Sequence, residues 1–99
     1  MRVGIEMLSE IPPEKRQEFI QSFKILPHFE ECKDNCIFYR LFEDVGEVNR
    51  FLWVEHWNDK SVMEKYLQSD RYKTILGAVE AMGELIRLNR TEFEDLPTS

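Results

Sequence analysis

The stretch Asn49–Gly83, NRFLWVEHWNDKSVMEKYLQSDRYKTILGAVEAMG, decides how the rest of the chain is arranged. Its first part, Phe51–Trp57, is rich in aromatic and β-branched residues, which suit a pleated, half-buried surface and predict a strand. Asn58 and Asp59 stop it. Asp59 or Ser61 can then cap a helix, and Ser61 with Glu64 fits the S-x-x-E capping box. Val62 with Tyr66 and Met63 with Leu67 lie one helical turn apart. After Ser69-Asp70 the apolar stripe resumes as Tyr72, Ile75, Leu76, Val79 and Met82. Ser69-Asp70 therefore predicts a kink or a fresh cap, and Gly83 the stop.

Outward from this stretch the remaining elements fall into place. Arg2–Leu8 alternates, with Val3, Ile5 and Met7 on one side, and reads as the first strand. Pro12-Pro13 opens a helix, because proline suits the first turn, and Glu14 favours its positive end. Phe19, Ile20, Phe23 and Leu26 form the apolar face of that helix, and Pro27 bends or ends it. Cys36–Glu43, CIFYRLFE, is the second strand, and Asp44–Asn49, containing Gly46, is a short hairpin connection. Leu85–Phe93 is the last strand, with a frayed tail from Glu94 to Ser99. The order β-α-β-β-α-β over residues 1–99 predicts a single α+β domain. Its architecture is the ferredoxin-like split βαβ sandwich, with a four-stranded antiparallel sheet in the order 4-1-3-2 and both helices on one face.

Both sides of that sheet carry bulk. Strand two has Phe38 and Phe42 on one side, and Ile37, Tyr39 and Leu41 on the other. Strand three has Phe51, Trp53 and Trp57 on one side, and Leu52 and Val54 on the other. Exposing a large apolar side chain costs ~1.5–3 kcal/mol, so the face without helices is expected to pack on a second copy across a two-fold axis. The expected partner is a homodimer.

With 13 basic and 19 acidic residues the net charge is −6, and no Lys/Arg cluster stands out, so nucleic acid and anionic membrane are poor electrostatic partners. The opening MRVGIEMLSEIPP lacks an apolar run of signal-peptide length and no segment would span a bilayer, which makes the cytoplasm the expected compartment. Cys32 and Cys36 are expected to be thiols there, with a reversible disulfide open to them if a turn brings them together. His28, Cys32 and Cys36 form an H-x3-C-x3-C series, but no fourth ligand is evident and no metal is expected. The glycines, at positions 4, 46, 77 and 83, lie too far apart for a phosphate loop, so nucleotide and flavin sites are unsupported.

The run Glu55-His56-Trp57-Asn58-Asp59, followed by Tyr66-Leu67-Gln68-Ser69-Asp70, resembles the antibiotic biosynthesis monooxygenase family of dimeric α+β barrels. The family's E-x-W followed by a polar residue matches Glu55, Trp57 and Asn58, and its aromatic or histidine before a serine matches Tyr66 and Ser69. The resemblance covers nearly the whole chain. It implies oxidation of a small phenol- or quinol-like aromatic by O2, with no cofactor. Haem-degrading relatives use an Asn late in strand one, a Trp at the helix-two position and a His further on. Met7, Tyr66 and Leu76 stand there, so haem degradation is not expected.

Several side chains carry two readings each. Trp57 and Trp53 either line an aromatic ligand cavity or fill the core or dimer interface. His56 is either a general base or an exposed strand-edge histidine. Tyr66 brings a hydroxyl to a buried position, where it needs a partner: protein, water or a phenolic substrate. Arg40 holds either a substrate oxyanion or a carboxylate of this chain, with an Arg40–Glu55 ion pair expected. Two functions stay open: a cofactor-independent monooxygenase with Tyr66 and His56 as catalytic residues and Trp57, Trp53 and Arg40 against the substrate, or a non-catalytic dimer that binds a small ligand or acts in assembly.

Overall fold

A computed structural model of the chain describes residues 2–25 and 36–93. The strands are β1 (Arg2–Glu10), β2 (Cys36–Glu43), β3 (Arg50–Trp57) and β4 (Glu84–Phe93). The helices are α1 (Arg16–Ile25), α2 (Lys60–Tyr66) and α3 (Asp70–Met82), with one 3₁₀ turn, Pro13–Lys15, ahead of α1. The sheet is antiparallel with the order β2-β3-β1-β4, the arrangement expected of a split βαβ sandwich. β1 is central and runs two residues past Leu8, because Ser9 and Glu10 still pair on both sides: with Phe51 and Arg50 of β3, and with Leu85 and Glu84 of β4.

The local chemistry behind these elements is visible at each boundary. Lys15 N–H donates to the Pro12 carbonyl, closing the 3₁₀ turn that leads into α1. Asp44 Oδ1 accepts from the amides of Gly46 (2.7 Å) and Glu47 (2.9 Å), an Asx-type turn that carries β2 into β3. Asp59, not Ser61, caps α2, its Oδ1 accepting from Val62 N. The Ser61–Glu64 box does not form at this end, since Ser61 already lies inside the helix. Ser69 Oγ accepts from Tyr72 N and starts α3, so the expected kink is a break into two helices.

Gly83 ends α3 for a reason of space. A Cβ there would lie 2.2 Å from the Glu10 carbonyl oxygen and 2.7 Å from Ile11 Cδ1, so only glycine lets the chain turn from α3 into β4 against the end of β1.

Antiparallel partners share a face, and the register therefore sorts the side chains. Val3, Ile5, Met7 and Ser9 of β1 lie on the face shared by Trp57, Glu55, Trp53 and Phe51 of β3. Phe19 and Phe23 of α1, Met63 and Tyr66 of α2, and Tyr72, Ile75 and Val79 of α3 close over this face as the core. The opposite face takes Glu6, Leu8, Arg40, Phe42, Leu52, Val54, His56 and Arg87. It is less apolar than the sequence predicts, because the whole aromatic row of β3 is under the helices. What remains is a patch of Leu8, Leu52 and Phe42, with Phe42 51% exposed. Cys36 is disulfide-bonded, against the expectation of a thiol. Leu26, Pro27, His28 and Cys32 lie outside the described residues.

The two glycines beside and within α3 give opposite expectations. A Cβ at Gly77 meets nothing within 4 Å, so Gly77→Ala should stabilise by about 0.5–1 kcal/mol through helix propensity. Gly83→Ala should destabilise by about 1–3 kcal/mol, as overpacking does. Urea denaturation of both variants checks this; a Gly83→Ala protein as stable as wild type would contradict the close approach.

Candidate active site

The centre of the covered face is a carboxylate. Glu55 is fully buried, 0% exposed, in the second half of β3. Trp53 and Trp57 stand two residues to either side, which in a strand puts all three side chains on one face. Trp53 Nε1 donates to Glu55 Oε2 at 2.8 Å and Trp57 Nε1 to Oε1 at 3.1 Å. Tyr66, the last residue of α2, donates its hydroxyl to Oε2 at 3.1 Å. The Trp57 and Tyr66 rings lie 4.8 Å apart, and Tyr72 meets Tyr66 edge-on at 5.7 Å. Burial pushes the Glu55 carboxyl above its ordinary range, partly offset by the donors on Trp53, Trp57 and Tyr66. Burial likewise raises the Tyr72 hydroxyl, helped by the charge of Glu55 and opposed by Arg90.

Trp53 joins this cluster to the surface. Its ring packs on Phe23 of α1 (4.8 Å) and stacks with Tyr39 of β2 (5.8 Å, 28° between planes). Between α1 and β2 lies an open groove of about 290 Å³ lined by Ile20, Phe23, Lys24, Tyr39, Arg40, Leu41 and Trp53. Arg16 of α1 and Glu43 at the end of β2 form a two-contact ion pair (2.6 and 3.3 Å) that spans the two elements bounding the groove. A half-exposed pair of this kind adds little stability; it fixes spacing.

The sequence-predicted residues thus divide. Trp53, Trp57 and Tyr66 converge on Glu55, while Arg40 joins Trp53 at the groove. Arg40 does not pair with Glu55: Tyr39 is the register partner of Glu55, whereas Arg40 faces Val54 on the opposite side of the sheet. Its Nη1 donates to the Tyr39 carbonyl at 2.8 Å. His56 lies on the helix-free face, between Gly4 and Phe38 in register. Burial lowers its pKa, as does Arg2, against the opposing charge of Glu6. Sequence reasoning missed Phe23, Lys24 and Tyr39 as groove residues. Phe23 and Tyr39 look like ordinary core positions until α1 is placed beside β2. Among the described residues, no group of three or more His, Cys, Asp or Glu could hold a metal ion, and no helix is long and apolar enough to cross a membrane.

Residues 2–78 match the profile of the family described as antibiotic biosynthesis monooxygenase. The chain belongs to that family. A Bacillus subtilis (strain 168) protein, YcnE, named as a candidate monooxygenase, is 28% identical over 94 residues, covering 94% of this chain and 99% of its own. Among solved structures, a conserved protein of Methanosarcina mazei Go1 superposes with a TM-score of 0.79 at 22% identity, over 95% of this chain and 94% of that one. A candidate family member from Caulobacter crescentus CB15 gives 0.77 at 17% identity, over 95% and 91%. These structural likenesses carry the fold. The family carries a monooxygenase-like role in general terms, and within the matched residues Glu55 and Trp57 supply the buried carboxylate and one of its donors.

The hydrogen bond from Tyr66 has a pH signature. A carboxyl whose folded pKa is raised adds most stability in acid, below its ordinary value of 4.5, and loses that contribution as pH rises through the folded value. Tyr66 favours the ionised form, so Tyr66→Phe should raise the Glu55 pKa further. The expected loss is about 1–2 kcal/mol at neutral pH and less in mild acid, measured by urea denaturation at both. An equal loss at both pH values would contradict the assignment.

Proposed function

We propose that this chain is a cofactor-independent monooxygenase whose groove beside Trp53 holds a small phenol- or quinol-like aromatic for reaction with O2. The observation that carries the reading is the junction of Trp53, Tyr39 and Phe23 with Arg40 in one solvent-open groove, in a member of a monooxygenase family. Tyr39, Phe23 and Trp53 offer flat apolar walls for a ring. Arg40 at the rim favours the ionised form of a bound phenol, whose proton passes to solvent. The anion gives an electron to O2, and the resulting radical and superoxide combine in a C–O bond at a ring carbon. The peroxide takes up a proton, then loses water, leaving a carbonyl there; one oxygen atom stays in the product and one leaves in water. Glu55 positions the groove wall by holding the Trp53 indole, with Trp57 and Tyr66 completing its shell. His56 does not line this groove and is given no part in the reaction.

The same reading includes a homodimer through the helix-free face, supported by the exposed Phe42 beside Leu8 and Leu52. Sedimentation at micromolar protein should give a dimer, and Phe42→Asp should shift it to monomer. A wild-type monomer would remove the dimer from the account.

Oxygen uptake with a panel of quinols and polyphenols tests the activity. Wild type should consume O2 with at least one of them. Arg40→Gln should lower kcat/KM by about tenfold, the worth of one charge-assisted contact. No uptake across the panel would overturn the reading.

A further inference from the structure

We propose that Trp53, Tyr66 and Tyr72 form a relay that carries one-electron oxidation out of the groove to the protein surface, with Glu55 taking the Tyr66 proton. The reading of the groove as an oxygenase site supplies the oxidant; the relay itself stands on the geometry. The chain has two tryptophans and three tyrosines, and all five lie in one line of contacts. Tyr39 stacks on Trp53 at 5.8 Å, and both line the groove. Trp53 and Tyr66 donate to the same oxygen of Glu55, at 2.8 and 3.1 Å. Trp57 lies 4.8 Å from the Tyr66 ring, and Tyr72 meets that ring at 5.7 Å. The line starts at β2, one edge of the sheet. It ends on α3, where the charge of Arg90 from β4, the other edge, acts on the Tyr72 hydroxyl. Tyr72 is 7% exposed, against 1% for Tyr66, so it is the end that meets solvent. Where rings have only to pack, the core uses phenylalanine, as at Phe19 and Phe51.

Each step balances on groups in this line. A substrate radical that escapes superoxide and adds O2 instead becomes a peroxyl radical. It takes an electron from Trp53 and a proton from water, becoming a hydroperoxide. The carboxylate beside the indole steadies the positive charge left behind, because charges attract strongly where the medium screens weakly. Tyr66 then returns an electron to Trp53 and passes its hydroxyl proton along the 3.1 Å hydrogen bond to Glu55 Oε2, leaving a neutral tyrosyl radical. Burial strengthens the hold of Glu55 on a proton, which favours that transfer. Tyr72 next gives Tyr66 an electron and gives water a proton, while Glu55 hands its proton back to Tyr66. The oxidised site is now Tyr72, where a water-soluble reductant such as ascorbate restores it with one hydrogen atom. The aromatic walls of the groove are thereby spared covalent damage.

A flash-quench experiment without O2 or substrate tests the relay. A ruthenium bipyridyl sensitiser is attached at Lys24→Cys, on the groove lining, and a cobalt(III) ammine takes the electron after the flash. Cys36 is disulfide-bonded and does not compete for the label. A Tyr39→Phe background makes the tyrosyl signal report Tyr66 and Tyr72. Transient absorption and electron paramagnetic resonance tell indole from tyrosyl radicals. An indole radical should appear first and give way to a tyrosyl radical, more slowly in deuterated water. Tyr66→Phe should slow tyrosyl formation by about tenfold or more and prolong the indole radical. Tyr72→Phe should hold the radical on buried Tyr66 and lengthen its life in ascorbate by about tenfold. Melting curves confirm that each variant is folded. No tyrosyl radical, a rate indifferent to Tyr66→Phe, no isotope effect, or an ascorbate lifetime unchanged by Tyr72→Phe would overturn the proposal. Light supplies the oxidant here, so the relay can fail while oxygen uptake succeeds, and the reverse.

Discussion

One carboxylate in an apolar setting constrains the rest of this molecule. Glu55 has been taken wholly out of water, which is costly for a polar group unless its lone pairs are filled. They are filled by two indole N–H groups from its own strand and a phenol O–H from the end of α2. Three donors converging on one side chain demand a side chain that only accepts. Glutamine would turn an N–H toward one of them, so the acid is specified by its surroundings and not only by its size. The arrangement also couples layers. Tyr66 can reach Oε2 only if α2 ends close to Glu55 of β3, and the break at Leu67–Ser69 then lets α3 set off afresh from its Ser69 cap.

The groove follows from this constraint. Trp53 is held at its nitrogen by Glu55, so its ring must point along the sheet toward β2, where Tyr39 stacks on it and Phe23 closes from α1. An aromatic wall pinned by a buried hydrogen bond loses little freedom when a ligand stacks on it, which favours binding of flat rings. The two faces of the sheet thus divide the work. The helix-covered face holds the carboxylate, its donors and the aromatic wall of the groove, which Arg40 meets at the edge strand β2, and the helix-free face holds the Leu8, Leu52 and Phe42 patch.

Much of the fold was legible because period and punctuation agree along the chain. The alternation of Val3, Ile5 and Met7, the Pro12-Pro13 opening and the aromatic strand ending at Trp57 all read the same way locally and globally. The Ser69-Asp70 recap was visible as well. The choice of Asp59 over Ser61 was not, because both residue types cap helices equally well and the strand's exit angle decides. The site was half legible. Glu55 on the row of Trp53 and Trp57 announced a buried carboxylate in need of partners. Its partner was misjudged as Arg40, because pairing β2 with β3 requires the register, and a slip by one residue moves every side chain to the other face. The irregularity between Cys36 and Phe38 and the turn at Asp44 fix that register, and neither leaves a periodic trace. His56 shows the same limit in reverse. Adjacent in sequence to Glu55 and Trp57, it is for that reason on the opposite side of the sheet.

The claim that Glu55 ties the groove wall to α2 is tested most directly by a double-mutant cycle in stability between Trp53→Phe and Tyr66→Phe, whose lost donors share one oxygen. If the carboxylate joins them, the second removal strips that oxygen of its last partner, and the two losses should differ from additivity by roughly 0.5–3 kcal/mol. Losses that add to within about 0.3–0.5 kcal/mol, the behaviour of independent sites, would contradict the account.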